Sequence, residues 1–180
     1  FYVFLNVNEP LYFSVPHYVN EIVAGADILM LLYFGWVAIQ RKSWLVGVMC
    51  IVQLAGLLYL LKNLSAGESM QFMVDKLSTF MFLLINIVSG IIAVFTLRYI
   101  EEENCSAFRK KFFIALLFFF IGAMNLVVSA DNLEYFFLFF ELTTLASFLF
   151  IGFRKDEVSV KNALTALWMN QVGGIAILAA

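Results

Sequence analysis

The sequence predicts an all-α membrane protein, a polytopic bundle of about six spanning helices. Three observations carry that reading. The chain of 180 residues is 63% hydrophobic and 13% charged, with a mean hydropathy of +0.94. A soluble domain is about half apolar and about a quarter charged, so too few polar side chains are present here to cover a globule. The apolar residues fall in runs close to the ~20 residues that cross a bilayer as a helix. The basic residues fall on alternate connections between those runs.

Residues 1–20 hold Pro10 and Pro16 among aromatics and asparagines and read as an interfacial, extracytoplasmic segment. The bundle occupies 21–180, with spans at 22–40, 43–61, 77–97, 112–130, 133–153 and 162–180. The chain begins at Phe1 and ends at Ala180 inside an apolar run, so it reads as a piece of a longer protein. Nine of the eleven Lys and Arg residues lie in the connections 41–43, 98–111 and 154–161, and only Lys62 and Lys76 lie on the other side. Cytoplasmic loops carry the excess of Lys and Arg, which puts the three basic loops in the cytoplasm. Glu101-Glu102-Glu103 and Arg109-Lys110-Lys111 share one of those loops and read as solvated surface.

Several functions drop out. A net charge of −2 without a basic, aromatic-rich patch offers nothing to nucleic acid. Cys50 and Cys105 have no ligand spacing, and His17 stands alone as the single histidine. The chain therefore predicts no metal or cofactor site of its own.

Glu141 sits mid-span, with Phe139 and Phe140 before it and Leu142 after it. A charge at the bilayer centre costs a few kcal/mol, ~2.5–3.5 on insertion scales. The group must be protonated, paired with a cation, or facing a wet cavity. All three states suit an ion carrier. Thr144, three residues on, shares its helix face, and Glu134 lies two turns toward the outer end on nearly the same face. Asn125 is a further polar contact for the same path. Gln53, Asn86 and Ser147 read as interhelical glue, the usual role of such residues in membrane bundles. Asp27, near the start of the first span, reads as structural and within reach of the headgroups.

Four stretches carry a family resemblance: DKLSTFMFLLINIVSG at 75–90, KKFFIALLFFFIGAMNLVVSADNL at 110–133, FFELTTLASFLFIGF at 139–153 and KNALTALWMNQVGG at 161–174. In this order and spacing they resemble the antiporter-like membrane subunits shared by respiratory complex I, multisubunit cation/proton antiporters and energy-converting membrane hydrogenases. The resemblance implies the N-terminal half of the complex I antiporter-like fold, which makes this piece an N-terminal fragment. It also implies that Glu141 is the essential carboxylate of the fifth helix, with Phe140 where the family usually has Trp. Its partner would be a lysine on a seventh helix, beyond Ala180. Complex I members often carry Arg and Asp where this chain has Gln171 and Gly174. GAMN at 122–125 and the stretches at 141–153 and 162–174 are most similar to the large antiporter-like subunit of group 4 nickel–iron hydrogenases.

The leading expectation is thus a proton- or sodium-translocating, non-redox membrane subunit of an energy-converting hydrogenase or a related complex I-like oxidoreductase. Fe–S clusters and a Ni–Fe centre would sit in partner subunits, in a peripheral arm that oxidises ferredoxin, alongside other membrane-arm subunits in the cell membrane. The alternative is a subunit of a stand-alone multisubunit cation/proton antiporter.

Overall fold

The computed structural model describes residues 10–63, 71–103 and 105–179. Six helices dominate these residues: α1 His17–Gln40, α2 Trp44–Asn63, α3 Lys76–Glu102, α4 Ala107–Ser129, α5 Leu133–Ile151 and α6 Glu157–Ala179. Five of them, α1 to α5, are long and apolar enough to cross a membrane. The sixth predicted span coincides with α6, which has the length, 23 residues. Asn170, Gln171, Gly173 and Gly174 dilute its apolar character. The chain is an integral membrane helical bundle.

The helices extend beyond the apolar runs because local hydrogen bonding, not hydropathy, sets their ends. Asp75 caps α3, accepting from the Ser78 backbone N–H at 2.7 Å. Ser106 caps α4, and Asn132 caps α5 by accepting from Glu134 N–H at 2.9 Å. Asp156 accepts from the N–H of Ser159 at 3.1 Å at the start of α6. Pro16 precedes α1, whose first turn, His17 to Asn20, begins and ends on a polar residue. His17 is the first residue of this helix. Between α1 and α2 the chain reverses in a tight turn, with Lys42 in the left-handed region at φ 52°.

The predicted interfacial segment contains a short strand and the start of α1. Residues 1–9 lie outside the described residues. Leu11–Phe13 form a short strand, β1, antiparallel to β2 at Phe72–Val74, with Tyr12 opposite Met73. Phe72 also bridges to Ala130, and Asp131 N–H donates to the Gln71 carbonyl at 2.9 Å. Gln71 Oε1 accepts from Val15 N–H at 2.8 Å. This small sheet ties the starts of α1, α3 and α5 together at the end away from the basic loops.

At the opposite end the basic connections meet. Arg154 donates to Tyr99 Oη and pairs with Glu103 at 3.1 Å. The Arg109 guanidinium lies 4.7 Å above the Phe153 ring and also donates to the Phe153 carbonyl. Phe113 packs edge-on against Phe150 and Phe153. These contacts join the ends of α3, α4 and α5.

Laterally, α1 packs on α2, α2 on α6, α6 on α5, and α5 on α1, closing a four-helix ring. α4 packs on the outside of α5 and α3 on α4. The usual soluble pattern is inverted. Leu29, Ile39, Val94, Phe95 and Phe118 are exposed, whereas Asp27, Gln53, Glu141, Thr144 and Gln171 are buried. In lipid, polar groups gain by facing the bundle interior, and apolar ones lose nothing by facing the tails.

Candidate functional site: a polar centre inside the four-helix ring

Each helix of the ring contributes a polar side chain to the interior. Asp27 from α1, Gln53 from α2, Glu141 from α5 and Gln171 from α6 are all 0% exposed, and Thr144 is 1% exposed. Gln53 Nε2 donates to Glu141 Oε1 at 2.8 Å and to the Gln171 carbonyl at 3.3 Å. Gln171 Nε2 in turn donates to Cys50 Sγ at 2.9 Å. The orientation of Gln53 follows from its partners: turned over, its amide oxygen would face two acceptors. Thr144 Oγ1 donates back to the Phe140 carbonyl at 3.1 Å.

Glycine makes this junction possible. A Cβ at Gly174 would overlap Gln53 Nε2 and lie 2.8 Å from Glu141 Oε1. A Cβ at Gly173 would press on the Phe140 ring at 3.2 Å, and one at Gly56 on Leu178 Cδ1 at 3.3 Å. Small residues let neighbouring helices approach closely in membranes. Here they let the Gln53 amide reach the carboxylate. Gln171 and Gly174 of α6 both meet Gln53.

Five buried oxygen atoms in the ring have no hydrogen-bond partner: both carboxylate oxygens of Asp27, Glu141 Oε2, and the amide oxygens of Gln53 and Gln171. A buried polar atom without a partner costs ~1–3 kcal/mol, so these five acceptors would gain from a donor or a cation beside them.

The four site residues expected from sequence divide. Glu141 and Thr144 lie in the ring. Glu134 is half-buried two turns away. It lines a cavity of about 60 Å³ with Leu57, Leu60, Leu61, Leu133, Phe137 and Leu178, room for a few waters. Asn125 lies elsewhere: it accepts from Asn86 Nδ2 at 3.0 Å and donates to the Ile121 carbonyl, joining α4 to α3. Gln53, read from sequence as glue, holds the carboxylate. Asp27, read from sequence as within reach of the headgroups, is fully buried and lies about 15 Å along α1 from His17 at 1.5 Å per residue. A buried Asp inside an apolar run was the available signal for it.

No three His, Cys, Asp or Glu side chains gather as a metal site among the described residues. Outside the spans, the N–H of Ser78 holds the Asp75 carboxyl below its usual range, and the hydroxyl and N–H of Ser159 do the same for Asp156.

Fold and centre together define a polytopic membrane protein with a buried carboxylate held by amides from neighbouring helices. Residues 64–113 match the family described as the N-terminus of chain 5 of NADH-ubiquinone oxidoreductase, complex I. The chain is 32% identical over 113 residues to Na(+)/H(+) antiporter subunit A1 of Staphylococcus haemolyticus, and 30% identical over 113 residues to the same subunit of Staphylococcus aureus strain JH9. Each match covers 62% of this chain and 14% of the relative, so the chain spans a small part of the length of these relatives. The resemblance to the antiporter-like membrane-subunit family holds, over the range common to complex I and the cation/proton antiporters.

Proposed function

We propose that the chain belongs to a subunit that moves protons or sodium ions across the cell membrane, with Glu141 as the group that loads and releases the ion. The observation that carries this is the asymmetry of Glu141. One oxygen accepts from Gln53 and the other is buried without a partner. The Gln53 N–H supports the carboxylate once the ion has left. The free Oε2 is where a proton or cation attaches. Apolar walls keep water from supplying that charge indiscriminately, and a charge change in a neighbouring subunit biases the loaded against the unloaded state. The basic loops face the cytoplasm in this reading.

The Na(+)/H(+) antiporter relatives favour a multisubunit cation/proton antiporter. The stretches at 122–125, 141–153 and 162–174 favour the second reading, a membrane subunit of an energy-converting hydrogenase with Fe–S clusters and a Ni–Fe centre in its partners. Stoichiometric Ni and Fe in the purified complex would decide for the hydrogenase, and their absence for the antiporter.

The test is Glu141→Gln in the full-length protein, with ion uptake measured in inverted vesicles after assembly is confirmed. Glutamine keeps the volume but has no carboxyl proton to exchange. Uptake is expected to collapse while assembly survives. Undiminished uptake would overturn the proposal.

A further inference from the structure

We infer that Asp27 and Glu141, with the amide oxygens of Gln53 and Gln171, form one shared binding site for a hard monovalent cation, Na+ in the first instance. The inference rests on the ion-carrier reading of Glu141 and adds to it a second carboxylate, on a different helix, and the neutral oxygens that complete the site.

The unsatisfied atoms carry the argument. All five unpartnered buried atoms in the ring are oxygens, and they come from all four helices. Interhelical glue would leave amide oxygens paired with amide hydrogens. Here each amide spends its N–H elsewhere: Gln53 on Glu141 and the Gln171 carbonyl, Gln171 on Cys50. Their oxygens are thereby left free. A set of carboxylate and amide oxygens, with the Cys50 sulfur already engaged by Gln171, suits a hard cation and not a thiophilic metal.

Asp27 belongs to the same centre. Val23 packs with Tyr135, Leu138 and Phe139 of α5 on one side of it, and Met30 and Leu31 join the apolar core containing Phe137 on the other. These seals leave Asp27 in the contact between α1 and α5, the helix that carries Glu141 and Glu134. Two carboxylates so placed repel each other unless a positive charge lies between them, which is what a bound cation supplies. Glu134, whose side chain lines the 60 Å³ cavity, adds a third carboxylate toward the end away from the basic loops.

The experiment uses the full-length chain in its assembled complex and follows thermal unfolding during titration with NaCl, with choline chloride as the ionic-strength control. A cation bound to the folded state raises the melting temperature with a midpoint set by its affinity. The wild-type complex is expected to respond to NaCl and not to choline. Asp27→Asn should move the Na+ midpoint upward about tenfold or more, the ~1.4 kcal/mol equivalent of one charged ligand. Asp27→Glu should restore most of it. Gln171→Met, which keeps the length and removes the oxygen, should move the midpoint in the same direction and decides the matter if Asp27→Asn does not assemble. An unchanged midpoint, or a wild-type complex indifferent to Na+, overturns the shared site; a basic side chain from beyond residue 180 sitting between the two carboxylates would give that result. Loss of uptake in Glu141→Gln together with an unchanged midpoint in Asp27→Asn would leave the carrier reading standing and remove this one. A shifted midpoint with undiminished uptake in Glu141→Gln would do the reverse.

Discussion

Gln53 and Glu141, 88 residues apart in sequence, meet at 2.8 Å in the middle of a four-helix ring, the amide of α2 donating to the carboxylate of α5. The carboxylate is thus held from outside its own helix, and by the first two-helix hairpin of the chain.

Gln53→Leu removes that donor and keeps most of the volume. It leaves Glu141 Oε1 without its observed side-chain partner, and the loss of a hydrogen bond to a charged group costs ~1.5–3 kcal/mol. The expected result is ion uptake lowered by about tenfold or more, since 1.4 kcal/mol is a factor of ten, with the complex still assembled. Uptake in inverted vesicles checks it, and an unimpaired rate would show that Gln53 only packs.

Gly174→Ala places a methyl group where Gln53 Nε2 now lies. The amide must move, and uptake is expected to fall at least as far as in Gln53→Leu. Gly173→Ala meets only the rim of the Phe140 ring, which can swing, and should have a smaller effect. Equal effects of the two substitutions would remove the special role assigned to Gly174.

Asn125→Ala breaks the amide pair with Asn86 on α3. Interhelical hydrogen bonds of this kind average ~0.6 kcal/mol in membrane bundles. A small drop in melting temperature with uptake retained is expected. Abolished uptake in a well-assembled complex would put Asn125 on the ion path after all.

Asp75 supplies the N-cap of α3, and its folded-state carboxyl is held below the unfolded value by the Ser78 N–H. A lowered folded value means the charged cap stabilises the chain above the unfolded value of about 3.9 and is lost as pH falls through the lower folded one. Asp75→Ala should therefore cost up to ~1 kcal/mol near neutral pH. The difference from wild type should vanish in strong acid. Melting curves of both proteins at pH 7 and in acid test this, and a difference that persisted in acid would assign the loss to packing.

Much of this was legible in the sequence. Apolar runs of spanning length gave the helices, because the bilayer fixes how long such a run must be. Glu141 stood out because a mid-span carboxylate is costly. The basic residues marked one end of the bundle. Gln53, Gln171 and Asp27 were visible as polar residues in apolar runs, yet nothing in their spacing separated glue from site.

Tertiary structure decided which of them meet. Gln53 and Asn86 look alike in sequence, each a single amide within a span. One turns into the ring and holds Glu141, and the other joins Asn125 on α3 and α4. Helix rotation and register settle that choice, and in lipid they are set by close packing at glycines such as Gly56, Gly173 and Gly174, which act across helices far apart in the chain. The sequence by itself determined that a carboxylate would be buried in the membrane. Only the packing of α1, α2, α5 and α6 determined that it meets the Gln53 amide beside Gln171, because side chains separated by up to 121 residues converge only once the ring has closed.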